Sequence, residues 1–362
     1  MKYLLLMFFS IGLLLPSMAQ RDCGTKTPAN PFIITQKIKD SLNTIKALNV
    51  NNYYLIRIQI NVFADDDGSK LAASNKDILR QFQNMANQYA AHNIYFTLMD
   101  IKQYNNTDLN NHNASTEYDE LSPYRRSNCF NVFIHNNLID DSGGLNGTAY
   151  MIPNTNFDIS EWGLAITSPT NLTVMGHELG HALGLYHTFE TFRGTRKEKV
   201  ARSGSCKNCD NNGDNLCDTP ADLDIDVNND CEYIGTKLDA CGAAYTPMTN
   251  NIMAYGPREC RTVFTSGQGE NMRYWLQQTQ FQSIVAQNIL LLPTANNLSL
   301  FYASGNLIFT AIDFIGICQF NNNTYNVSGT ATQQISAKRI SLKSGTKLQP
   351  SSGRIQITSI PN

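Results

Sequence analysis

Three of the six histidines fall within one eleven-residue segment, His177-Glu178-Leu179-Gly180-His181-Ala182-Leu183-Gly184-Leu185-Tyr186-His187. Residues four apart lie on one face of a helix, so His177 and His181 can offer two imidazole nitrogens to one cation. Zn²⁺ accepts such nitrogens at about 2.0–2.1 Å. Gly184 tolerates a positive φ, so it can end the helix and turn the chain until His187 reaches the same cation. The pattern predicts a zinc site with three histidine ligands.

Glu178 follows the first of these histidines directly and predicts what the metal would do. Three neutral histidines leave one tetrahedral position open, as in catalytic rather than structural zinc sites. Zinc lowers the pKa of a bound water from 15.7 to about 7. The Glu178 carboxylate would take the proton of that water and pass it to a leaving amine. The alternative is an amphipathic helix with surface histidines, in which Leu179 and Leu183 supply the apolar face.

A second segment, Asn250 to Tyr255, resembles the methionine turn of metzincins. In such a turn the methionine, here Met253, forms a polarisable apolar floor beneath the metal. The Tyr255 phenol is expected to hydrogen-bond the oxyanion of a tetrahedral intermediate. The alternative for Tyr255 is a packed turn residue with no chemical role.

Several motifs together resemble the pappalysin family of metzincin metallopeptidases, in its short, ulilysin-like prokaryotic form. The resemblance covers about residues 20 to 288. The motifs that carry it are Cys23-Gly24-Thr25, His177 to Phe189, Gly213 to Pro220, Asn251 to Tyr255, Cys260, and Phe264 to Gln268.

The resemblance implies roles for individual residues. His177, His181 and His187 would bind zinc, with Glu178 as general base and acid, Met253 as the turn methionine and Tyr255 as the transition-state partner. Asp214, Asp218 and Thr219 would help to bind calcium, for which hard oxygen ligands are suitable; the alternative is an acidic loop that caps a helix and forms turns. Glu259, in place of the expected Asp, would line the primed-side pocket and favour Arg or Lys after the scissile bond.

The nine cysteines indicate disulfides, because six of them crowd into one Asp-, Asn- and Gly-rich segment of a chain that looks exported. A zinc knuckle at Cys206 and Cys209 is the alternative. By the resemblance Cys231 pairs with Cys260, and Cys241 with Cys206 or Cys209.

Cys23 lies far from that cluster and is predicted to block the zinc from a removable N-terminal segment, because a thiolate can occupy the open position. The alternative for Cys23 is a disulfide with Cys129 or Cys318.

The N-terminus reads as a signal peptide over residues 1–19, with Lys2 before an apolar stretch and small residues ending at Ala19. The alternatives are an uncleaved anchor or a buried N-terminal helix, although thirteen apolar residues are too few to span a bilayer. The mature chain is expected to be soluble and secreted, extracellular or periplasmic. The chain has 28 basic and 30 acidic residues and a net charge of -2. Such a near-neutral chain has no long-range electrostatic field that would attract nucleic acid.

Periodicity predicts the elements that position the site. Tyr54 to Phe63 alternates as a half-buried strand, and apolar residues recur every three or four positions from Asn75 to His92, as in an amphipathic helix. Further strands are predicted at Ile94 to Ile101, Asn131 to His135 and Trp162 to Thr167. The segment from Gly143 to Ile152 is predicted to be an edge strand. We therefore expect an α/β (α+β) zincin: a twisted mixed sheet with a backing helix and an active-site helix.

The predicted domain order is a signal peptide at 1–19, a latency prosegment at 20–50, a metallopeptidase domain at 51–290 with an irregular, disulfide-bound C-terminal subdomain, and a small all-β module at 295–362. Alternating runs such as Asn306 to Ile312 and Arg354 to Ile360 predict a small sandwich or short roll there. The predicted function is a secreted zinc endopeptidase made as a latent precursor and acting on proteins or peptides. The alternatives are a surface- or glycan-binding protein on a vestigial peptidase scaffold, and a zinc hydrolase of non-peptide amides.

Overall fold

The computed structural model describes residues 23–25, 54–151, 163–166, 173–190, 197–223 and 226–285, together with six strands between 302 and 359. The predicted signal peptide, most of the prosegment and Cys318 lie outside the described residues. No helix among the described residues has the length and apolar character needed to cross a membrane.

A five-stranded sheet forms the centre of the N-terminal part, in the spatial order β2-β1-β4-β8-β7. Its strands are β1 (Tyr54–Ala64), β2 (Ile94–Asn105), β4 (Phe130–Ile134), β7 (Gly147–Ala149) and β8 (Gly163–Ile166). All neighbours are parallel except β7 and β8, which are antiparallel. The sheet is therefore mixed, as predicted, and β7 is one of its two edge strands, with β2 at the other edge.

Helix α1 (Asn75–Ala90) covers one face of this sheet. Ser74 caps its N-terminus by accepting a hydrogen bond from the Asp77 backbone, and its apolar positions, including Phe82 and Met85, are fully buried. The Tyr89 hydroxyl donates to the Gly176 carbonyl at 2.7 Å, which ties α1 to the next long helix. The predicted backing helix is confirmed, and its period of three and four residues explains the burial.

The prediction of one edge strand from Gly143 to Ile152 is replaced by two shorter strands. β6 (Gly143–Gly144) pairs with β5 (Asn137–Asp140) in a small sheet that also contains β3 (Asn111–Asn113), whereas β7 joins the main sheet. Residues 152–162 lie outside the described part of the chain. Glycines loosen the segment, so it changes partner between the two sheets.

The remaining short elements are α2 (Thr107–Asn110) and a 3₁₀ helix at Tyr118–Tyr124 in the N-terminal part, α3 (Val174–Ala182), a 3₁₀ helix at Arg258–Cys260, α4 (Ser266–Leu276), and a 3₁₀ helix at Thr279–Phe281. α4 begins with a capping box in which Thr265 and Gln268 bond each other's backbone.

Between residues 197 and 260 the described chain is mostly turns and isolated bridges, stabilised by disulfides. Cys231 pairs with Cys260, and Cys206 with Cys241, in agreement with the pairings implied by the resemblance. Cys209 pairs with Cys217, so the described cysteines of this segment are crosslinked rather than arranged as a zinc knuckle. Cross-links compensate for the small apolar core of this irregular subdomain.

The C-terminal part forms strands, as predicted, but they pair in parallel. β9 (Tyr302–Ser304), β11 (Thr324–Ser328) and β13 (Lys347–Pro350) form one sheet. β10 (Leu307–Ile317), β12 (Thr332–Leu342) and β14 (Arg354–Ser359) form the other. Successive strands alternate between the two sheets, an order that favours the predicted short roll over a sandwich.

Candidate active site

Helix α3 carries His177 and His181 on one face and ends just after them. Gly184 has φ +83°, a conformation that favours glycine. The Gly184 N–H bonds to the His181 carbonyl and the Leu185 N–H to the Gly180 carbonyl, both at 2.9 Å, which is the hydrogen-bond pattern of a Schellman C-cap. This turn brings His187 back to the helix, as predicted for Gly184.

The three imidazoles converge through their Nε2 atoms. His181 Nε2 lies 3.2 Å from His177 Nε2 and 3.0 Å from His187 Nε2. All three residues are buried. Burial, reinforced by the neighbouring imidazoles, lowers the pKa of His177 and His181 well below the usual value. A group of neutral nitrogens facing one point fits a divalent cation and would be unfavourable as a cluster of imidazolium ions.

The other ring nitrogen of each histidine faces an acceptor. His177 Nδ1 lies 2.7 Å from the Ile252 carbonyl, and His181 Nδ1 lies 2.8 Å from the Leu185 carbonyl. His187 Nδ1 lies 3.0 Å from a carboxylate oxygen of Glu190. These acceptors require the proton on Nδ1, which leaves the Nε2 lone pairs for a metal ion. The donor set therefore fits zinc.

Glu178 is fully buried beside this cluster and faces the edge strand β7. A Cβ atom added to Gly147 of β7 would lie 2.8 Å from Glu178 Oε1, so only glycine allows this approach. The carboxylate accepts a hydrogen bond from Thr25 Oγ1 at 2.9 Å. Glu178 thus lies next to both the histidines and the strand edge.

The turn containing Met253 lies under α3. Met253 is fully buried, and a Cβ atom added to Gly180 would lie 2.7 Å from its sulfur. Asn251 fixes the turn, because its side chain accepts the Met253 N–H at 2.8 Å. Asn251 and Gln268 also exchange two buried side-chain hydrogen bonds, at 2.9 and 3.1 Å. Gln268, which closes the capping box of α4, therefore also holds the turn beneath the histidines.

Tyr255 stands against the third histidine. Its ring centroid lies 4.8 Å from that of His187 in an edge arrangement and 4.7 Å from that of Phe189. Its hydroxyl donates to the Cys23 carbonyl at 3.5 Å. Tyr255 is therefore both packed against His187 and Phe189 and within hydrogen-bond distance of a peptide carbonyl.

Cys23, Gly24 and Thr25 occupy the groove between the histidines and β7. The Cys23 sulfur and the three histidine nitrogens all lie within 4.8 Å of one another. The Gly24 N–H donates to the Gly147 carbonyl, and the Ala149 N–H donates to Thr25 Oγ1, both at 2.8 Å. Cys23 is a free thiol, as is the buried Cys129. The alternative of a disulfide between them is absent from this structure.

Burial and the Glu178 charge raise the pKa of the Cys23 thiol well above the usual value. The sulfur lies 3.5 Å from the Glu178 carboxylate, to which it donates. A divalent cation bound by Cys23 and the histidines would favour the thiolate instead, because a thiol that coordinates such a cation is deprotonated.

A cavity opens beside Tyr255. Its lining includes Ala254, Tyr255 and Gly256 of the turn and two carboxylates, Asp222 and Asp226. Asp222 is buried and accepts a hydrogen bond from Thr188 Oγ1 at 2.5 Å, next to the third histidine. Asp226 is exposed. The cavity therefore has an acidic lining and lies beside Tyr255, whose ring contacts His187.

Glu259 lies elsewhere. It is exposed on the short 3₁₀ helix Arg258–Cys260 and does not belong to the lining of this cavity. The acidic residues that line it come from the loop before Val227, in a segment that sequence reasoning did not single out.

The three predicted calcium ligands separate into two groups. Asp214 and Thr219 are buried together, whereas Asp218 accepts the Gly267 N–H at 2.6 Å in the first turn of α4. Asp218 therefore has the helix-capping role that was the alternative. The sequence did not single out Glu198, on which the charge of Asp214 acts.

Glu198 and Asp214 form a buried acidic cluster. Burial, followed by the charge of Asp214, raises the pKa of Glu198 to about 9, and burial raises the pKa of Asp214 to about 7. Glu198 Oε2 has no hydrogen-bond partner among the described residues. Arg202 donates to Glu198 Oε1 at 2.8 Å and to the Thr219 carbonyl at 2.6 Å, so one cationic side chain already reaches the cluster.

Comparison with known proteins gives relatives of one kind. The Peptidase_M43 family model, described as pregnancy-associated plasma protein-A, matches residues 122–277. An extracellular metalloprotease of Neurospora crassa is 26% identical over 286 residues, which cover 71% of this chain and 88% of that protein. One from Colletotrichum graminicola is 38% identical over 100 residues, 27% of this chain and 29% of that protein.

Among solved structures, promirolysin of Tannerella forsythia is similar at 17% identity and a TM-score of 0.48, covering 73% of this chain and 97% of that one. The matched family segment contains the three histidines, Glu178 and Met253. Residues 122–277 therefore match the Peptidase_M43 (pappalysin) family, and this match and the curated relatives support a zinc metallopeptidase.

Proposed function

We propose that the protein is a secreted endopeptidase that is made as a latent precursor and cleaves peptide bonds in proteins. The observation that carries the proposal is the convergence of three histidine Nε2 atoms beside a buried glutamate and the edge strand β7. We also propose the domain division at 1–19, 20–50, 51–290 and 295–362. Secretion is supported by the predicted signal peptide and by relatives named as extracellular.

In the proposed mechanism His177, His181 and His187 hold zinc. When bound, zinc lowers the pKa of a coordinated water and polarises the scissile carbonyl. The Glu178 carboxylate takes a proton from the water and delivers it to the leaving nitrogen. The Tyr255 hydroxyl donates to the carbonyl oxygen as negative charge develops there. The hydrogen bond from Tyr255 to the Cys23 carbonyl supports this role, because it shows that the phenol reaches a peptide oxygen at the site.

We propose that an extended substrate binds along β7. Cys23 to Thr25 support this mode, since their backbone and side chain already bond Gly147 and Ala149 at that edge. An unpaired edge strand offers regularly spaced N–H and C=O groups to any sequence, and side-chain pockets then supply selectivity.

We propose that the same three residues keep the precursor inactive. Cys23 would be a fourth zinc ligand, and Thr25 engages the Glu178 carboxylate. One segment would thus occupy the open metal position and the catalytic base together. Cleavage of the chain after this segment would free both the metal position and the Glu178 carboxylate.

For selectivity we propose a preference for Arg or Lys after the scissile bond, with Asp222 and Asp226 as the acidic residues of the cavity beside Tyr255. A buried carboxylate that pairs with a substrate cation is worth about 2 kcal/mol or more, whereas an exposed one contributes less than about 1 kcal/mol. Asp222 should therefore matter more than Asp226.

Asp222→Asn should lower kcat/KM for a peptide with Arg after the scissile bond roughly 30-fold, the equivalent of about 2 kcal/mol, and leave a matched Leu peptide much less affected. The measurement is the Arg/Leu ratio of kcat/KM, because a distortion of His187 through Thr188 would lower both rates alike. Glu259→Gln is the matched variant. If Glu259→Gln lowered the Arg/Leu ratio and Asp222→Asn did not, Glu259 rather than Asp222 would be the residue that selects Arg.

We further propose a calcium site at the acidic cluster, formed by Asp214, Thr219 and Glu198. The partnerless, buried Glu198 oxygen supports it, and carboxylate and hydroxyl oxygens are the ligands that calcium takes.

Calcium at about 100 times its dissociation constant should stabilise the fold by about 2.7 kcal/mol, seen as a rise in Tm of the zinc-loaded protein. Asp214→Asn should abolish that rise. Asp218→Asn, which affects the cap of α4, should lower Tm with and without calcium by the same amount. If calcium left the Tm of the wild type unchanged, the calcium site would be ruled out, and Arg202 would be the cation that balances the acidic cluster.

A further inference from the structure

The three zinc-facing histidines differ in what holds them. His177 and His181 direct Nδ1 to backbone carbonyls, of Ile252 and Leu185, which the fold fixes. His187 directs Nδ1 to the side chain of Glu190, at 3.0 Å. Within the described site only this ligand depends on a side chain that mutation can remove.

His187 also needs such a partner more than the others do. His177 and His181 belong to α3, whose backbone hydrogen bonds fix their positions. His187 follows the turn at Gly184 and lies outside any helix or strand. Its ring is stacked on Phe189, with centroids 4.9 Å apart and 13° between planes. Stacking sets the plane of the ring but leaves undecided which nitrogen carries the proton.

A carboxylate at Nδ1 determines which ring nitrogen carries the proton, which stacking does not. It accepts the Nδ1 proton, selects the tautomer with its lone pair on Nε2, and makes that nitrogen a stronger donor to a metal. The Glu190 side chain is 22% exposed and that of His187 8%, so water weakens the hydrogen bond only in part. The Glu190 backbone N–H also bonds the His187 carbonyl at 3.1 Å, which keeps the two side chains on one turn.

We infer that Glu190 is the positioning residue of the third zinc ligand and sets the zinc affinity of the site. The inference rests on the proposed zinc ligation by His187. Nothing in the sequence pattern of the histidines marks Glu190, because its role follows from where the turn places it. Removing an outer carboxylate of this kind typically lowers metal affinity about 10- to 100-fold.

The test measures zinc affinity by competition with a chromophoric chelator, using the full chain and, in parallel, a Cys23→Ala background in which the thiol is no longer a ligand. Glu190→Ala should weaken zinc binding about 10- to 100-fold. Glu190→Gln keeps an oxygen acceptor and loses the charge, so its affinity should lie between that of the alanine variant and the wild type. The Tm of the zinc-free protein should be the same for all three.

Glu120→Gln, a change at an exposed position of the Tyr118–Tyr124 helix, is the matched control and should keep wild-type affinity. The cobalt-substituted protein adds a second measurement, because a displaced His187 should change the visible spectrum of the metal in Glu190→Ala. Equal zinc affinity of Glu190→Ala and the wild type would overturn the inference and leave the proposed mechanism standing. A wild type that binds no zinc would overturn both.

Discussion

Glu178→Ala in the processed enzyme should lower kcat by about 10²- to 10⁴-fold, the range that a positioned general acid and base contributes. Glu178 is fully buried next to the histidines, and its carboxylate faces the groove at β7, so it is placed to exchange protons there. KM should change little, because the carboxylate acts on protons rather than on substrate binding. The measurement is steady-state cleavage of an unfolded protein and of a short peptide.

Zinc content is the control for this variant. His177, His181 and His187 keep their Nδ1 partners when Glu178 is replaced, so the variant should bind one zinc per chain. Glu178→Gln, which keeps the shape of the side chain, should be as inactive as alanine. If either variant retained zinc and cleaved at the wild-type rate, Glu178 would not be the base.

Cys23→Ala should activate the unprocessed chain by about 10²- to 10⁴-fold. A ligand tethered to its site acts at a high effective concentration, and that advantage of roughly 10²–10⁴ disappears with the sulfur. The buried sulfur lies within 4.8 Å of all three histidine nitrogens. The measurement is peptide cleavage by freshly purified full-length protein whose N-terminus has been verified as intact.

Cys129 supplies the matched control, because it is the other free, buried thiol among the described residues and lies outside the histidine cluster. Cys129→Ala should leave the precursor as inactive as the wild type. Thr25→Ala removes the hydrogen bonds to Glu178 and Ala149 and should activate the precursor less than Cys23→Ala does. A Cys23→Ala precursor as inactive as the wild type would mean that the segment blocks the groove without its sulfur.

The sequence alone determined the features that depend on local spacing. His177 and His181 four apart require one helical face, and Gly184 supplies the positive φ that returns His187 to it. The period of α1 and the alternation of β1 are likewise local, since burial of one face imposes them. The histidine pattern of the zinc site could therefore be predicted from the sequence.

Tertiary structure decided what depends on residues far apart in the chain. Cys23 and Glu178 are separated by 155 positions, and the sequence left Cys23 with either a disulfide or the zinc as its partner. Asp222 and Asp226 reach the cavity only because a crosslinked loop folds against the turn at Tyr255. Asp218 caps a helix that begins 48 residues later, at Ser266.

The strands after residue 302 show the same limit, since alternation predicts strands but says nothing about parallel pairing between distant ones. Glu190 marks a second limit. It is only three residues from His187, yet no histidine spacing reveals that its carboxylate meets the Nδ1 nitrogen. Local periodicity determines which residues belong to one element, whereas contacts between elements depend on how the whole chain buries its apolar surface.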